Sequence, residues 1–205
     1  MAHIPKLQRP EALFRTYWSS TLSDHVIYES RLELANLMLA DFDVGVKHIA
    51  AQPFMLTATV NGRICRHILD YLWGTDEQPI VVDVVRRERL GHDAVKLLCA
   101  WTRATVESLG WTYRIVSEPE PTILANVRFL AGYRRGWLVN QEVLVELRSR
   151  RGRLAGKSIA EVEASFAGYP KPVVRPALMH LLWCHEFAAD LTGPLRPGTV
   201  LEVST

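Results

Sequence analysis

Four acidic residues stand where their type and spacing could do chemistry. Glu29 and Glu33 lie four residues apart in YESRLELA, one turn of a helix, so as helical residues they share a face. Asp70 stands in ILDYLW and Asp83 inside the apolar run IVVDVV. A carboxylate among such neighbours is costly to bury unless a partner or a cation meets it. Adjacent strands that bring Asp70 and Asp83 to one end of a sheet, with a helix glutamate arriving from the side, make a cluster that repels itself. Hard oxygen ligands around Mg2+, with Mn2+ as a substitute, resolve that repulsion. The plainer readings stay open. A lone strand aspartate is often a hydrogen-bonded structural residue, and Glu29 with Glu33 also reads as a solvated helix face.

Cations near these acids suit a phosphate-bearing partner. Arg86, Arg87 and Arg89 follow the Asp83 strand, and Arg148, Arg150, Arg151 and Arg153 form a second basic run. Both fit a phosphate-contacting surface, and phosphate contacts give affinity without sequence readout. The later run reads equally as a solvated charged face. His67, three residues before Asp70, suits either a phosphate contact or a structural hydrogen bond.

The elements that must position these groups are legible in outline. The pattern predicts a helix from Ser23 to about Ala40, capped by Ser23 or Asp24, with Ile27, Leu32, Leu34, Leu37 and Met38 as its apolar stripe. Val46 to Ile49, Phe54 to Val60 and Arg63 to Trp73 read as three strands, the last two joined by an Asn61-Gly62 hairpin turn. Ile80 to Val85 is a buried strand. A helix from Gly91 to Leu109 with Gly110 as its cap, a strand from Trp111 to Val116 and a helix from Pro121 to Tyr133 complete the first unit. This order predicts an α/β fold with a mixed central sheet flanked by helices. A composition shift near residue 134 divides the chain. Residues 1–20 form an arm with aromatic anchors Phe14, Tyr17 and Trp18, residues 21–133 the main domain, and residues 134–205 a smaller, mostly helical domain. In that last part Ile159 to Phe166 and Val174 to Ala188 read as helices before a β-like tail, resembling a winged-helix module.

Bulk properties exclude several classes. The chain has 205 residues, 48% apolar and 22% charged, with a net charge of +2. That composition buries a core, so disorder is not expected. Cys65, Cys99 and Cys184 form no CxxC pair, which points away from zinc and disulfide frameworks. No apolar run is long enough for a membrane helix, and the expected setting is cytoplasmic.

Together these segments resemble a known family. YESRLELANLMLADFDVGVKHIAAQPF, RHILDYL and VVDVVRRERL, then ILANVRFLAGYRR and RPALMHLLWCHEFAADLTGPL, resemble TnsA-like endonuclease subunits of heteromeric transposases. A helix acid, a hairpin-strand aspartate and an acid in the next strand follow the PD-(D/E)xK chain order. The resemblance implies a restriction-endonuclease-like core, a winged-helix-like C-terminal domain, and Mg2+-dependent cleavage of double-stranded DNA at the 5′ ends of a transposon. It also implies two partners, a DDE-type transposase subunit and an AAA+ regulator of the TnsC kind. It assigns Glu33 as the helix ligand with Glu29 as the alternative, Asp70 and Asp83 as metal ligands beside the Val84 carbonyl, and Gln52 as a supporting loop residue. One position departs from the pattern: the expected lysine two residues after Asp83 is Val85. Arg87, with the same strand parity as Val85, is the candidate replacement, supplying charge but no base. Two other readings are a catalytically inactive assembly subunit on the same fold and a winged-helix transcription regulator.

Overall fold

Residues Arg15–Ser19 (β1) and Asp24–Tyr28 (β2) pair as an antiparallel hairpin in a computed structural model that describes residues 15–60 and 62–203. The expected helix from Ser23 is therefore wrong over its first eight residues, 23–30. Ser23 takes a left-handed backbone (φ 53°) in the hairpin turn, and β-branched Val26 and Ile27 lie in the strand. The helix α1 runs from Arg31 to Phe42, and its N-cap is Ser30, whose hydroxyl accepts from the Glu33 N–H. The missed signal was Ser30-x-x-Glu33, a capping-box spacing. Glu29 consequently precedes the helix and shares no helical face with Glu33.

The hairpin is also the docked part of the expected N-terminal arm. Tyr17 is buried, and Trp18 meets Trp137 edge-on at 4.9 Å between ring centroids. Phe14 lies outside the described residues.

The central sheet has the order β3-β6-β7-β8, built from His48–Ala51, Tyr71–Gly74, Ile80–Val84 and Thr112–Val116. β7 and β8 are parallel and the other pairs antiparallel, so the sheet is mixed. The single strand expected from Arg63 to Trp73 is broken at Leu69-Asp70. Its first half, Arg63–Ile68 (β5), pairs only with Met55–Val60 (β4) in a separate ribbon. Gly62 turns that ribbon with φ 75°, the conformation that the Asn-Gly signal anticipates. The break lets Asp70 leave the ladder and turn its side chain toward the end of β7.

Helices cover both faces of the sheet. One face packs on α1, on α3 (Pro121–Leu130) and on the C-terminal helices in a continuous core that includes Leu37, Ile49, Tyr71, Val82, Leu130 and Leu178. The other face packs on α2 (Asp93–Glu107) through Leu69, Val81, Cys99, Val106 and Tyr113. Alternation along β7 sends Val82 to the first face and Val81 with Asp83 to the second. Gly110, at φ 76°, follows the end of α2 as expected.

After residue 134 come α4 (Gln141–Ser149), the short α5 (Arg151–Leu154), α6 (Ile159–Ala164) and α7 (Lys171–Trp183). Ser158 and Glu161 form a full capping box at the start of α6. α7 stops five residues short of the expected Ala188, because His185 adopts a left-handed backbone at φ 56°. The tail makes only isolated antiparallel bridges, Ser158 with Val200 and Ala188 with Glu202. The core runs without interruption across residue 134, since Leu130, Leu147, Leu178 and Leu201 belong to one cluster. Among the described residues no helix is long and apolar enough to cross a membrane.

Candidate active-site cleft

Asp83 is 2% exposed on the α2 side of β7. Its Oδ2 accepts a 2.5 Å hydrogen bond from the Tyr113 hydroxyl and a 2.7 Å hydrogen bond from the His67 ring. Its Oδ1 is buried without a partner. Burial and the bond to Asp83 push the Tyr113 hydroxyl far above the usual phenol range, so it remains a donor. The parallel register sets Asp83 opposite Ile115, with Tyr113 two residues back on the same face.

Asp70 reaches the same place from the β5–β6 break. Its Oδ2 accepts from the Val84 N–H at 2.7 Å. Its carboxyl is pushed up to about 7, chiefly by burial, and further by the charges of Asp83 and Glu33. The Val84 bond and His67 pull the other way without cancelling this. A buried aspartate and a half-buried one thus share one place, with one Asp83 oxygen unmatched and the charge of Asp83 disfavouring ionisation of Asp70.

These groups line a cleft of about 330 Å³, together with Glu33, Arg86 and Arg89. Val84 and Val85 are also in its wall. The isopropyl group of Val85 occupies the position where the resemblance expects a lysine. Arg87 does not replace that lysine. Its backbone N–H donates to the Glu118 carboxylate at 2.9 Å and its guanidinium to the Glu118 carbonyl at 3.1 Å, holding it on the β8–α3 connection. The reason is local, for β7 ends at Val84 and residues Arg87–Arg89 form a tight 3-10 turn, so strand parity no longer applies. The cleft's own cations are Arg86 and Arg89.

Glu33 lines the cleft, and the remaining expected site residues lie around it. Glu33 points an oxygen into the helix cap, where Oε2 accepts from the Glu29 N–H at 2.9 Å. Glu29 accepts from the Gln52 side chain at 2.7 Å, and the Gln52 backbone N–H donates to the Asp70 carbonyl at 2.8 Å. Gln52 holds a left-handed backbone at φ 48° to do this. It ties the segment before α1 to the Asp70 turn. Of the later basic run, Arg148 is bound to Glu186 by both Nε and Nη2, and Arg150 pairs with Glu146 and lies over the Phe166 ring. Arg151 adds to the charge that keeps Glu186 below the usual carboxyl range, after the Arg148 hydrogen bond. Arg153 is exposed. Arg148 and Arg150 of this run are thus ion-paired within the fold.

Sequence reasoning missed Tyr113, because its role depends on β7 and β8 being parallel neighbours in that register. It missed Glu118 for the same reason. The parity of Tyr113 with Trp111 and Ile115 was visible but carried no sign of a partner.

A divalent cation suits the donors present here. The unmatched Asp83 oxygen and the raised Asp70 carboxyl both call for positive charge at one point. Among the described residues, however, no three His, Cys, Asp or Glu side chains stand close enough to hold a metal together. The acids on hand are Asp70 and Asp83, with Glu33 in the same cleft wall and its Oε2 held by the Glu29 N–H. No protein-family model matches the chain, and comparison with curated proteins finds no match.

Proposed function

We propose that the chain is a metal-dependent DNA endonuclease subunit of the TnsA type, acting at the 5′ ends of a transposon beside a DDE-type transposase and an AAA+ regulator. The observation that carries this reading is the meeting of Asp70 and Asp83 in one cleft, with an unpartnered buried carboxylate oxygen and arginines at its edge. A restriction-endonuclease-like core is consistent with the mixed sheet and with α1 delivering Glu33 from the side. Asp70, Asp83 and the Val84 carbonyl would hold Mg2+ or Mn2+, with Glu33 as the further ligand. When bound, the ion supplies an activated water and offsets charge on the phosphate. Arg86 and Arg89 hold the phosphodiester at the cleft, and His67 with Tyr113 fixes the Asp83 carboxylate.

A winged-helix-like C-terminal part is supported by the order α4, bridge at Ser158, α6, α7, then bridges at Ala188 and Glu202. In such a module the helix corresponding to α7 would enter the major groove. Here Ala177 to Trp183 are all buried. That burial favours a scaffold for partner subunits over a transcription regulator that reads an operator through α7. Val85 in the cleft wall favours the second reading, an inactive assembly subunit.

The test is nicking of a labelled transposon-end duplex by the chain with its cognate transposase, in Mg2+ and in Mn2+. Asp70→Ala and Asp83→Ala are each expected to lower cleavage by on the order of a thousandfold, about 4 kcal/mol of barrier. Absence of cleavage by the parent protein in either metal, with DNA or partner binding intact, selects the inactive subunit instead.

A further inference from the structure

The β4–β5 ribbon stands outside the central sheet, and neither strand pairs with any other element of it. Its inner face is anchored: Leu56 packs against the α2 cluster, and His67 reaches Asp83. Its outer face is uncovered, with Met55, Thr57, Thr59, Ile64 and Arg66 exposed and Ile64 72% exposed close to the turn. An isolated two-stranded ribbon with a bare face is marginal in water, so its length needs a reason outside the monomer. Its charge supplies one. From Phe54 to Ile68 the sequence contains Arg63 and Arg66 and no acidic residue.

We propose that the β4–β5 ribbon enters the major groove of duplex DNA whose backbone lies across the acidic cleft. The inference rests on the nuclease reading for what the neighbouring cleft does to that DNA. The major groove, about 12 Å wide, admits a two-stranded ribbon. Strand alternation puts Arg66 on the outer face with Thr57, Thr59 and Ile64, and Arg63 on the opposite face with His67, so a ribbon entering tip first turns one arginine to each wall of the groove. Arg63 is four residues from His67, about 13 Å along an extended strand. That exceeds the groove depth of about 8.5 Å, so the tip reaches bases while the ribbon's base stays at the cleft. Arg86 and Arg89 line the same cleft as His67 at the ribbon's base. The helix that would otherwise read the groove, α7, is buried.

The experiment titrates the full chain with a short labelled duplex over a range of salt concentrations, without divalent metal, beside the double variant Arg63→Ala/Arg66→Ala. The double variant is expected to bind on the order of tenfold more weakly, with the slope of log affinity against log salt reduced by about 2. Arg63→Lys/Arg66→Lys is expected to restore the slope. Ile64→Cys carrying a hydroxyl-radical source is expected to cut the duplex at bases beside the cleft, a readout that does not depend on the arginine variants. Unchanged affinity and slope in the alanine variant overturn the proposal. So does a loss confined to binding of the partner transposase, which would make the ribbon a protein-docking surface. DNA binding through the ribbon with no cleavage in any metal overturns the nuclease reading and leaves the ribbon standing. Cleavage with binding insensitive to the ribbon overturns the ribbon alone.

Discussion

Asp41 and the cleft aspartates, two of the buried carboxylate sites among the described residues, are built to opposite rules. Asp41, on α1, is satisfied on both oxygens. Oδ1 accepts from the Ser19 hydroxyl at 2.6 Å and the Thr21 N–H at 2.8 Å, and Oδ2 from the Tyr17 hydroxyl at 2.8 Å and from Ser20. The Ser20 hydroxyl in turn accepts from the Trp183 indole, so one aspartate locks the N-terminal hairpin, α1 and α7 together. The cleft aspartates lack such closure. Asp83 keeps an unmatched oxygen, and Asp70 takes a hydrogen bond from the Val84 N–H and has two like charges for neighbours. A carboxylate that receives every bond it can accept stabilises the fold. One left short at the mouth of a cleft is available to a ligand.

That contrast breaks if the two kinds of aspartate respond alike to mutation. Asp41→Ala strands the Tyr17 and Ser19 hydroxyls in the interior and is expected to cost about 3 kcal/mol by denaturant titration, with no relief from added Mg2+. Asp70→Asn is expected to act in the other direction. An acid whose folded pKa is raised costs stability as pH climbs above its unfolded value near 3.8, and the cost is complete above about 7. The parent protein should therefore lose stability between about pH 4 and pH 7. Asp70→Asn should flatten that slope and be more stable by about 1–3 kcal/mol at pH 8. A parallel pH profile for the two proteins would show that Asp70 is solvated like a surface acid. Smallest is Glu33→Ala, which removes the acceptor from the Glu29 N–H at the start of α1. It is expected to lower stability by about 0.5–1 kcal/mol. A loss of several kcal/mol there would make Glu33 a structural group of the Asp41 kind.

Much of the frame was legible in residue patterns. The apolar run around Asp83 marks a strand buried on both faces, Asn61-Gly62 marks the ribbon turn, and the segments Asp93–Glu107 and Thr112–Val116 lie where periodicity puts them. The first helix was misread because Val26-Ile27-Tyr28 fits an apolar stripe as well as a strand. Only pairing with β1 decides between them. The strand through Leu69-Asp70 was read as continuous because nothing local breaks it. The break exists because Gln52 and Val84 capture the Asp70 backbone and side chain from elsewhere in the chain.

The sequence by itself determined which acids are available and in what order along the chain, since burial cost is written into an aspartate flanked by valines. Whether those acids meet, and what else meets them, was decided by tertiary structure. Tyr113 and His67 come to Asp83 from 30 and 16 residues away, and Glu118 draws Arg87 off from 31. Strand register and the end of β7 set those distances, and register is a property of paired strands that no single segment carries.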